Sequence, residues 1–415
     1  MFTNYDSTIK DIKRALSHKN VSEQNIFLSQ IVLRLETIPE DINPFSGEFK
    51  KRVLDMYKYM TGNEDYIAKD NELNSALESL DCFVQPIPYR FSDSKLVGEH
   101  LIAYGWIMML CDVQAEDSIL EYGCGEGQLI ISFARIGCRC YVIDIDPNAL
   151  KLVEKSAHAV GVKINTMVGT FNDSFEGKKF DRIIFYESFH HGLDHQNFVL
   201  QLKDQLKPDG YVVFAGEPII LADSVDACKI PYPWGLRLDG ESIRSIMEFG
   251  WMELGFTEEY FVDLLIRSGF SVEKRDCLSC NRGSAYLAKP YEYEFPINNS
   301  LIKAYDGKSG WYEPEQTHRW TNGHAVLPVP IYKKYCKVSI SITNFQPNIV
   351  NVEVKAGQRS KVKKLHPGER RAIYIDLSDT SEYIEIISDY MVPSEIMESD
   401  DERKLGVAID RVSYE

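Results

Sequence analysis

Two runs in this 415-residue chain carry the residue types and spacings from which chemistry is built. The first is Ile119-Leu120-Glu121-Tyr122-Gly123-Cys124-Gly125-Glu126-Gly127, an apolar segment that ends in three alternating glycines. Glycine reaches backbone dihedrals closed to other residues and lets a ligand approach the main chain, so a strand running into such a turn predicts a ligand site. A dinucleotide fingerprint needs G-x-G-x-x-G, but its sixth position holds Gln128 and the third glycine comes one residue early. Pyrophosphate rests on a helix N-terminus, whereas a cofactor without phosphate has no anion to place there. The next apolar run, Tyr141-Val142-Ile143-Asp144-Ile145-Asp146, sets an acid about 20 residues beyond the glycines, where a carboxylate accepts hydrogen bonds from ribose hydroxyls. Asp144 is the candidate, and Asp146, followed by Pro147, reads as a helix N-cap.

The second run is Tyr186-Glu187-Ser188-Phe189-His190-His191-Gly192-Leu193-Asp194-His195, with Phe214-Ala215-Gly216-Glu217-Pro218 further on. Histidine is the side chain whose unperturbed pKa suits proton removal near neutral pH. Open α/β sheets place their sites at the carboxyl ends of strands, so Glu187, His190, His191 and Glu217 are expected at one mouth. His191 is the candidate general base, set against a structural histidine that opens the next helix, with His190 next in order. Glu217 orients that histidine or binds an acceptor hydroxyl; its alternative is a solvated acid at a strand end. A divalent cation is the rival explanation for such a mouth, but no complete ligand set is readable and no metal is expected. Cys277 and Cys280 form a C-x-x-C without the second pair that a structural zinc site uses. Downstream, Ile230-Pro231-Tyr232-Pro233-Trp234-Gly235-Leu236-Arg237-Leu238 offers flat aromatic faces and a forked guanidinium. These suit a polyhydroxylated acceptor held by Trp234 and Arg237, the alternative being a packed crossover loop.

The elements that must position these groups follow from periodicity. Over residues 1–90 apolar residues recur at helical spacing, in Ile26, Leu28, Ile31, Val32 and Leu35 and again in Val53, Leu54, Met56, Tyr57 and Met60, which predicts a helical region. The prolines of Gln85-Pro86-Ile87-Pro88 end it. Residues 91–290 alternate, with strands expected at 118–122, 139–143, 163–168, 180–186 and 211–215 and helices at 128–136, 147–160 and 194–206. A turn at Lys207-Pro208-Asp209-Gly210 precedes the fifth strand; a helix from 257 to 269 and a hairpin of strands at 270–277 and 283–288 close the domain. Strand alternating with helix predicts a parallel sheet covered on both faces. Residues 291–415 change to short alternating segments at 337–343, 349–354 and 372–377, an all-β pattern read most simply as a small sandwich.

Composition narrows the partners. Lys+Arg 46 against Asp+Glu 62 leaves a net charge of −16, and the densest basic run is only Lys361, Lys363 and Lys364, which disfavours nucleic acid as a partner. The longest apolar stretch, near Leu101 to Cys111, is far short of a membrane span, and Met1 to Asn20 is too charged for a signal peptide. Nine irregularly spaced cysteines do not form a secreted disulfide framework, so reduced thiols and a cytoplasmic location are expected.

Read together, the motifs resemble those of the class I S-adenosylmethionine-dependent methyltransferases. Glu121 to Gly127 looks like their first motif, Tyr141 to Pro147 their second, Phe180 to Glu187 their fourth, and Leu206-Lys207-Pro208-Asp209-Gly210 the turn before their fifth strand. The resemblance covers about half the chain. It implies a Rossmann-like seven-stranded methyltransferase sheet whose seventh strand inserts antiparallel, and S-adenosylmethionine as cofactor. It also implies that Glu121 and the backbone from Gly123 to Gly125 hold the methionine part, that Asp144 with Ile145 takes the ribose, and that Thr170 and Phe171 flank adenine. Phe171 covers the ring or is a core residue; Glu187 binds the cofactor's amino group. Tyr89, Arg90, His100 and Tyr104 are expected to close over the cofactor, by analogy with the family's N-terminal helices. Gly310-Trp311-Tyr312-Glu313-Pro314-Glu315 with His318-Arg319-Trp320-Thr321 resembles β-sandwich segments that accompany bacterial surface-polysaccharide glycosyltransferases, although packing is the favoured reading of Trp311 and Trp320. The expected function is O-methylation of a sugar hydroxyl in a bacterial surface glycan or its precursor, in association with glycan-assembly enzymes. The alternatives are N- or C-methylation of a small metabolite, or a non-catalytic cofactor-binding scaffold.

Overall fold

The computed structural model describes residues 42–73, 93–224, 229–230 and 233–415, with positions 10, 12–14, 17 and 87 besides. The expected helix around Ile26 to Leu35, the Pro86 and Pro88 break, and Tyr89, Arg90, Pro231 and Tyr232 lie outside the described residues. Contacts along the chain separate two compact units, one of residues 1–258 and 274–287, the other of 259–273 and 288–415.

The first unit opens with α1 (Gly47–Thr61). Ser46 accepts from the Phe49 N–H at its start, and Gly62, at φ +77°, ends it with an N–H to the Lys58 carbonyl, a terminus that favours glycine. Its inner stripe of Val53, Met56, Tyr57 and Met60 is buried, as the spacing predicts. A short turn of helix, α2 (Ala68–Asn71), and the long α3 (Ser94–Cys111), capped by Asp93, follow. Strand and helix then alternate through β1 (Ser118–Tyr122), α4 (Gln128–Arg135), β2 (Arg139–Asp144), α5 (Pro147–Ala159), β3 (Ile164–Val168), β4 (Phe180–Tyr186), α6 (His195–Leu202) and β5 (Leu206–Ala215). After β5 the chain continues through β6 (Ile219–Ile220), β7 (Trp234–Leu236), α7 (Gly240–Phe249), β8 (Leu254–Thr257), α8 (Glu258–Arg267), β9 (Phe270–Arg275) and β10 (Ala285–Pro290), of which residues 259–273 and 288–290 are counted with the second unit.

Seven strands form one sheet in the order β3-β2-β1-β4-β5-β10-β9, so the last strand is inserted beside β5, as the resemblance implies. β1 lies between β2 and β4, parallel to both, and all five of its residues are buried. A central parallel strand loses both faces to covering helices, which explains its unbroken apolar run. The carboxyl ends of β1, β2 and β4 therefore open on the same side. One expectation fails locally. Residues 207–210 are not a turn ahead of the fifth strand but part of β5, where the pairing jumps from Phe180–Leu206 to Arg182–Tyr211. A Cβ at Gly210 would stand 2.7 Å from the Phe180 carbonyl oxygen, and the missing side chain lets the two backbones close up. The small sheet β6-β8-β7 has no counterpart in the sequence reading, because two- to four-residue strands carry too little alternation to register.

The second unit contains two antiparallel sheets. One runs β11 (Glu294–Phe295), β19 (Ala408–Tyr414), β14 (Lys337–Thr343), β17 (Arg370–Asp376), with β12 (Arg319–Trp320) also on β19; the other runs β13 (His324–Pro328), β18 (Tyr383–Ser388), β15 (Val350–Ala356), β16 (Arg359–Leu365). Alternate residues such as Val338, Ile340 and Ile342 on β14 and Val350, Val352 and Val354 on β15 are buried, the period of two expected of a sandwich. Trp320 is buried here, and the Trp311 indole N–H donates to the Val326 carbonyl at 2.7 Å, so both tryptophans are packing residues. Among the described residues no helix is long and apolar enough to cross a membrane.

Candidate active site

A cavity of about 340 Å³ opens at the carboxyl ends of β1, β2 and β4. Its first wall is the glycine turn. Gly123 has φ +67° and a Cβ there would meet the Ser188 Cβ at 2.7 Å, so this position admits only glycine; Gly125, at φ +52°, faces open space. Asp144, at the end of β2, holds the turn in shape by accepting from the N–H groups of Gly125 (3.2 Å) and Asp146 (2.9 Å). Burial pushes its carboxyl up to about 6, against those two hydrogen bonds. Asp146 is the N-cap of α5, accepting from Asn148 at 2.8 Å, as read from the sequence. Ile145, Thr170 and Phe171 line the same cavity. Phe171 is at once wall and core, its ring packed edge-on to Tyr122 and Phe185. The acid that organises the turn after β3 is Asp173, which accepts from the Thr170 N–H (2.7 Å) and hydroxyl (2.9 Å); Asn172 faces the cavity beside it.

Glu121 stands differently. Its carboxylate is buried under the turn and is not among the cavity-lining residues. Burial and the nearby Asp144 push it up to about 8, while a hydrogen bond from the Ile130 backbone pulls the other way, and Oε2 has no partner.

The second wall is the segment after β4. Glu187 sits at φ +50°, lines the cavity and pairs with Arg282. A single turn of 3₁₀ helix, Phe189–His191, then carries the two histidines. Glu217 secures that turn: Oε1 accepts from the N–H groups of Ser188 and Phe189, both 2.9 Å, and Oε2 from the N–H of His190 at 3.1 Å and its Nδ1 at 2.8 Å. With its side chain 1% exposed and both oxygens engaged, Glu217 is neither the solvated acid nor the acceptor-binding group entertained from sequence; it positions the turn. His190 is buried between Glu217 and Glu253, whose Oε2 lies 3.7 Å from Nε2, and is not among the cavity-lining residues. That placement removes it as an alternative base.

His191 does face the cavity. Its Nδ1 lies 3.1 Å from Oε2 of Glu72, and Oε1 of Glu72 accepts from the Tyr66 hydroxyl (2.8 Å) and the Met252 N–H (2.6 Å). Burial alone would pull the His191 imidazole down; the Glu72 carboxylate, with Glu253 and Glu217 behind it, outweighs burial and raises it to about 9. Tyr66, Glu72 and Trp251 complete this wall. None of the three was read from the sequence: Tyr66 and Glu72 come from the segment before the domain and Trp251 from the insertion after β5, and no motif spacing ties them to His191.

Four further sequence candidates lie elsewhere. Trp234 is fully buried, its ring 5.1 Å from Phe49 and 4.7 Å from His195 and its indole N–H bonded to the Pro44 carbonyl, so it is a core residue rather than an acceptor platform. Arg237 pairs with Asp239 at 3.0 Å and does not line the cavity. His100 and Tyr104 are buried on α3 against Tyr186, with His100 Nδ1 3.0 Å from the Tyr186 hydroxyl, and do not close over the site.

Comparison with known proteins places this geometry. The profile of the methyltransferase domain matches residues 120–214, from β1 to the end of β5. The ubiquinone biosynthesis O-methyltransferase of Rickettsia canadensis (strain McKiel) is 30% identical over 97 residues, 23% of this chain and 41% of that protein. The mitochondrial ubiquinone biosynthesis O-methyltransferase of Schizosaccharomyces pombe is 31% identical over 101 residues, 23% of this chain and 36% of that protein. The chain thus spans about two fifths of the length of these curated relatives. Among solved structures, an S-adenosylmethionine-dependent methyltransferase from Clostridium acetobutylicum ATCC 824 is similar over 46% of this chain and 92% of its own, at 16% identity and a TM-score of 0.36. The match to the methyltransferase domain is confined to residues 120–214, the segment that carries the glycine turn, Asp144 and the two histidines.

Proposed function

We propose that the chain is an S-adenosylmethionine-dependent O-methyltransferase in which His191, held by Glu72, removes the proton of an acceptor hydroxyl. One observation carries this reading: the His191–Glu72 pair and the Gly123, Gly125 and Asp144 wall line one cavity. The residues fit the cofactor. A glycine cradle open at Gly125, a strand-end carboxylate and the Phe171 ring suit a nucleoside, and the Glu187 carboxylate suits an ammonium. The bound cofactor supplies an electrophilic methyl group on a sulfonium.

The chain's own residues have three tasks. The glycine turn and Asp144 fix the ligand's position, which converts a two-body encounter into an oriented one. The Glu72 carboxylate, 3.1 Å from Nδ1, favours a proton on that nitrogen and so leaves Nε2 for proton uptake. His191 must first be neutral. With a pKa of about 9 it is an imidazolium at neutral pH in the ligand-free protein, and a cation sharing the cavity disfavours that form.

For the acceptor we favour a sugar hydroxyl of a bacterial surface glycan or its precursor, because Trp251 and Tyr66 bring aromatic side chains to the cavity wall beside His191. The second reading is a phenolic hydroxyl. A phenol pKa of about 10, close to that of His191, favours it. Incubation with methyl-labelled S-adenosylmethionine, followed by mass spectrometry of the product linkage, distinguishes the two. In the same assay His191→Ala should lower turnover by roughly 10²-fold or more while calorimetry still detects S-adenosylhomocysteine binding. Wild-type turnover in that variant would overturn the histidine base.

A further inference from the structure

We propose that the outer edge of β16 is a docking surface for an extended acidic polypeptide segment, which adds to the sandwich as a further strand. The inference rests on a comparison among the four sheet edges of the second unit, which are β11 and β17 in one sheet and β13 and β16 in the other. At the other edges no exposed cation is left without a carboxylate partner. Glu294 on β11 pairs with Arg411; Arg370 and Arg371 on β17 pair with Asp410 at 3.4 Å and Glu369 at 2.6 Å; His324 on β13 pairs with Glu385 at 2.8 Å. On β16 the six residues from Arg359 to Lys364 are all exposed. Among the described residues Lys361, Lys363 and Lys364 have no ion-pair partner, although the chain has 62 acids to supply one; Arg359 donates only to the Leu377 carbonyl.

Register sharpens the point. Arg359, Lys361 and Lys363 pair with Ala356, Val354 and Val352 of β15, which are buried. The three cations therefore stand on the sheet face that elsewhere carries the sandwich core. Charge on an edge strand guards against unwanted pairing, and one inward lysine serves that purpose. Here four basic residues and no acid between 359 and 364 make a net +4 strand in a chain of net −16, and the surrounding negative field steers an anionic partner to it. Residues two apart on a strand repeat at about 6.8 Å. A second strand has the same repeat, so acids at alternate positions meet Arg359, Lys361 and Lys363 one to one. A polypeptide also brings main-chain N–H and C=O groups for the unpaired edge, which an acidic polysaccharide or a nucleic acid does not.

The test uses the full chain and three fluorescent probes: a ten-residue peptide with Glu and Thr alternating, the same composition in two blocks, and heparin. The alternating peptide should bind best and weaken as salt is raised. Lys361→Glu with Lys363→Glu should weaken it about tenfold or more, and the double Gln variant should fall between, with melting temperatures confirming that both variants are folded. Methyl transfer should be unaffected. Absence of binding, equal binding by the charge-reversed variant, or heparin or the block peptide binding as tightly as the alternating one would each overturn the proposal.

Discussion

His190 and His191 are neighbours of the same type whose surroundings give them opposite work. His190 is enclosed by Glu217 and Glu253, whereas His191 meets Glu72 across the cavity wall. The sequence shows two histidines after a fourth strand and no more; which one is free to move a proton depends on Glu72, more than 100 positions away in the chain. Asp144 and the glycines were legible because their roles are local, a turn and the strand beside it. Trp234 was misread for the same reason in reverse. Its aromatic face is the same whether it stacks on a sugar or on Phe49, and only the fold decides. The structure recasts Glu217 as a positioning residue, and the consequence is measurable. Glu217→Ala leaves the N–H groups of Ser188, Phe189 and His190 without their acceptor. The expected cost is about 3 kcal/mol, read from denaturant unfolding, together with loss of turnover as the His191 turn loosens.

At the scale of elements, legibility tracked length and periodicity. β1 and β4 fall on the predicted residues and α4, α5 and β2 within one residue of them, because long buried runs between capping residues leave little choice. The fold around the site was harder to read where the pieces are short or borrowed. β6, β7 and β8 form a three-stranded sheet from segments of two to four residues, and α2 contributes a single turn ahead of Glu72. Trp234 pairs with Phe256 of β8 and anchors β7 against Phe49 of α1. Trp234→Ala should therefore cost about 3–5 kcal/mol, measured by chemical denaturation. It should leave the acceptor KM of the residual folded enzyme unchanged, which a substrate-platform role would not.

For the whole molecule, the cavity wall and the layer beneath the glycine turn hold groups whose folded pKa values are raised: Asp144 to about 6, Glu121 to about 8 and His191 to about 9. Each contributes stability that is fully present below its unfolded value, about 3.9, 4.3 and 6.5, and that is lost as pH rises through the folded value. The ligand-free protein should accordingly lose melting temperature between about pH 5 and pH 9, and Glu121→Gln should flatten the slope between pH 6 and pH 8. A melting temperature that rises over this range would contradict the cavity electrostatics. The most direct test of the catalytic account is the pH dependence of kcat/KM for methyl transfer in wild type and Glu72→Gln. Removing the carboxylate removes the interaction that holds the His191 proton, so the account predicts a wild-type rate that climbs with pH through a midpoint near 9 and a variant midpoint displaced downward, with a lower plateau. A midpoint that does not move, or a profile flat from pH 6 to 9 in both proteins, would show that His191 is not the base.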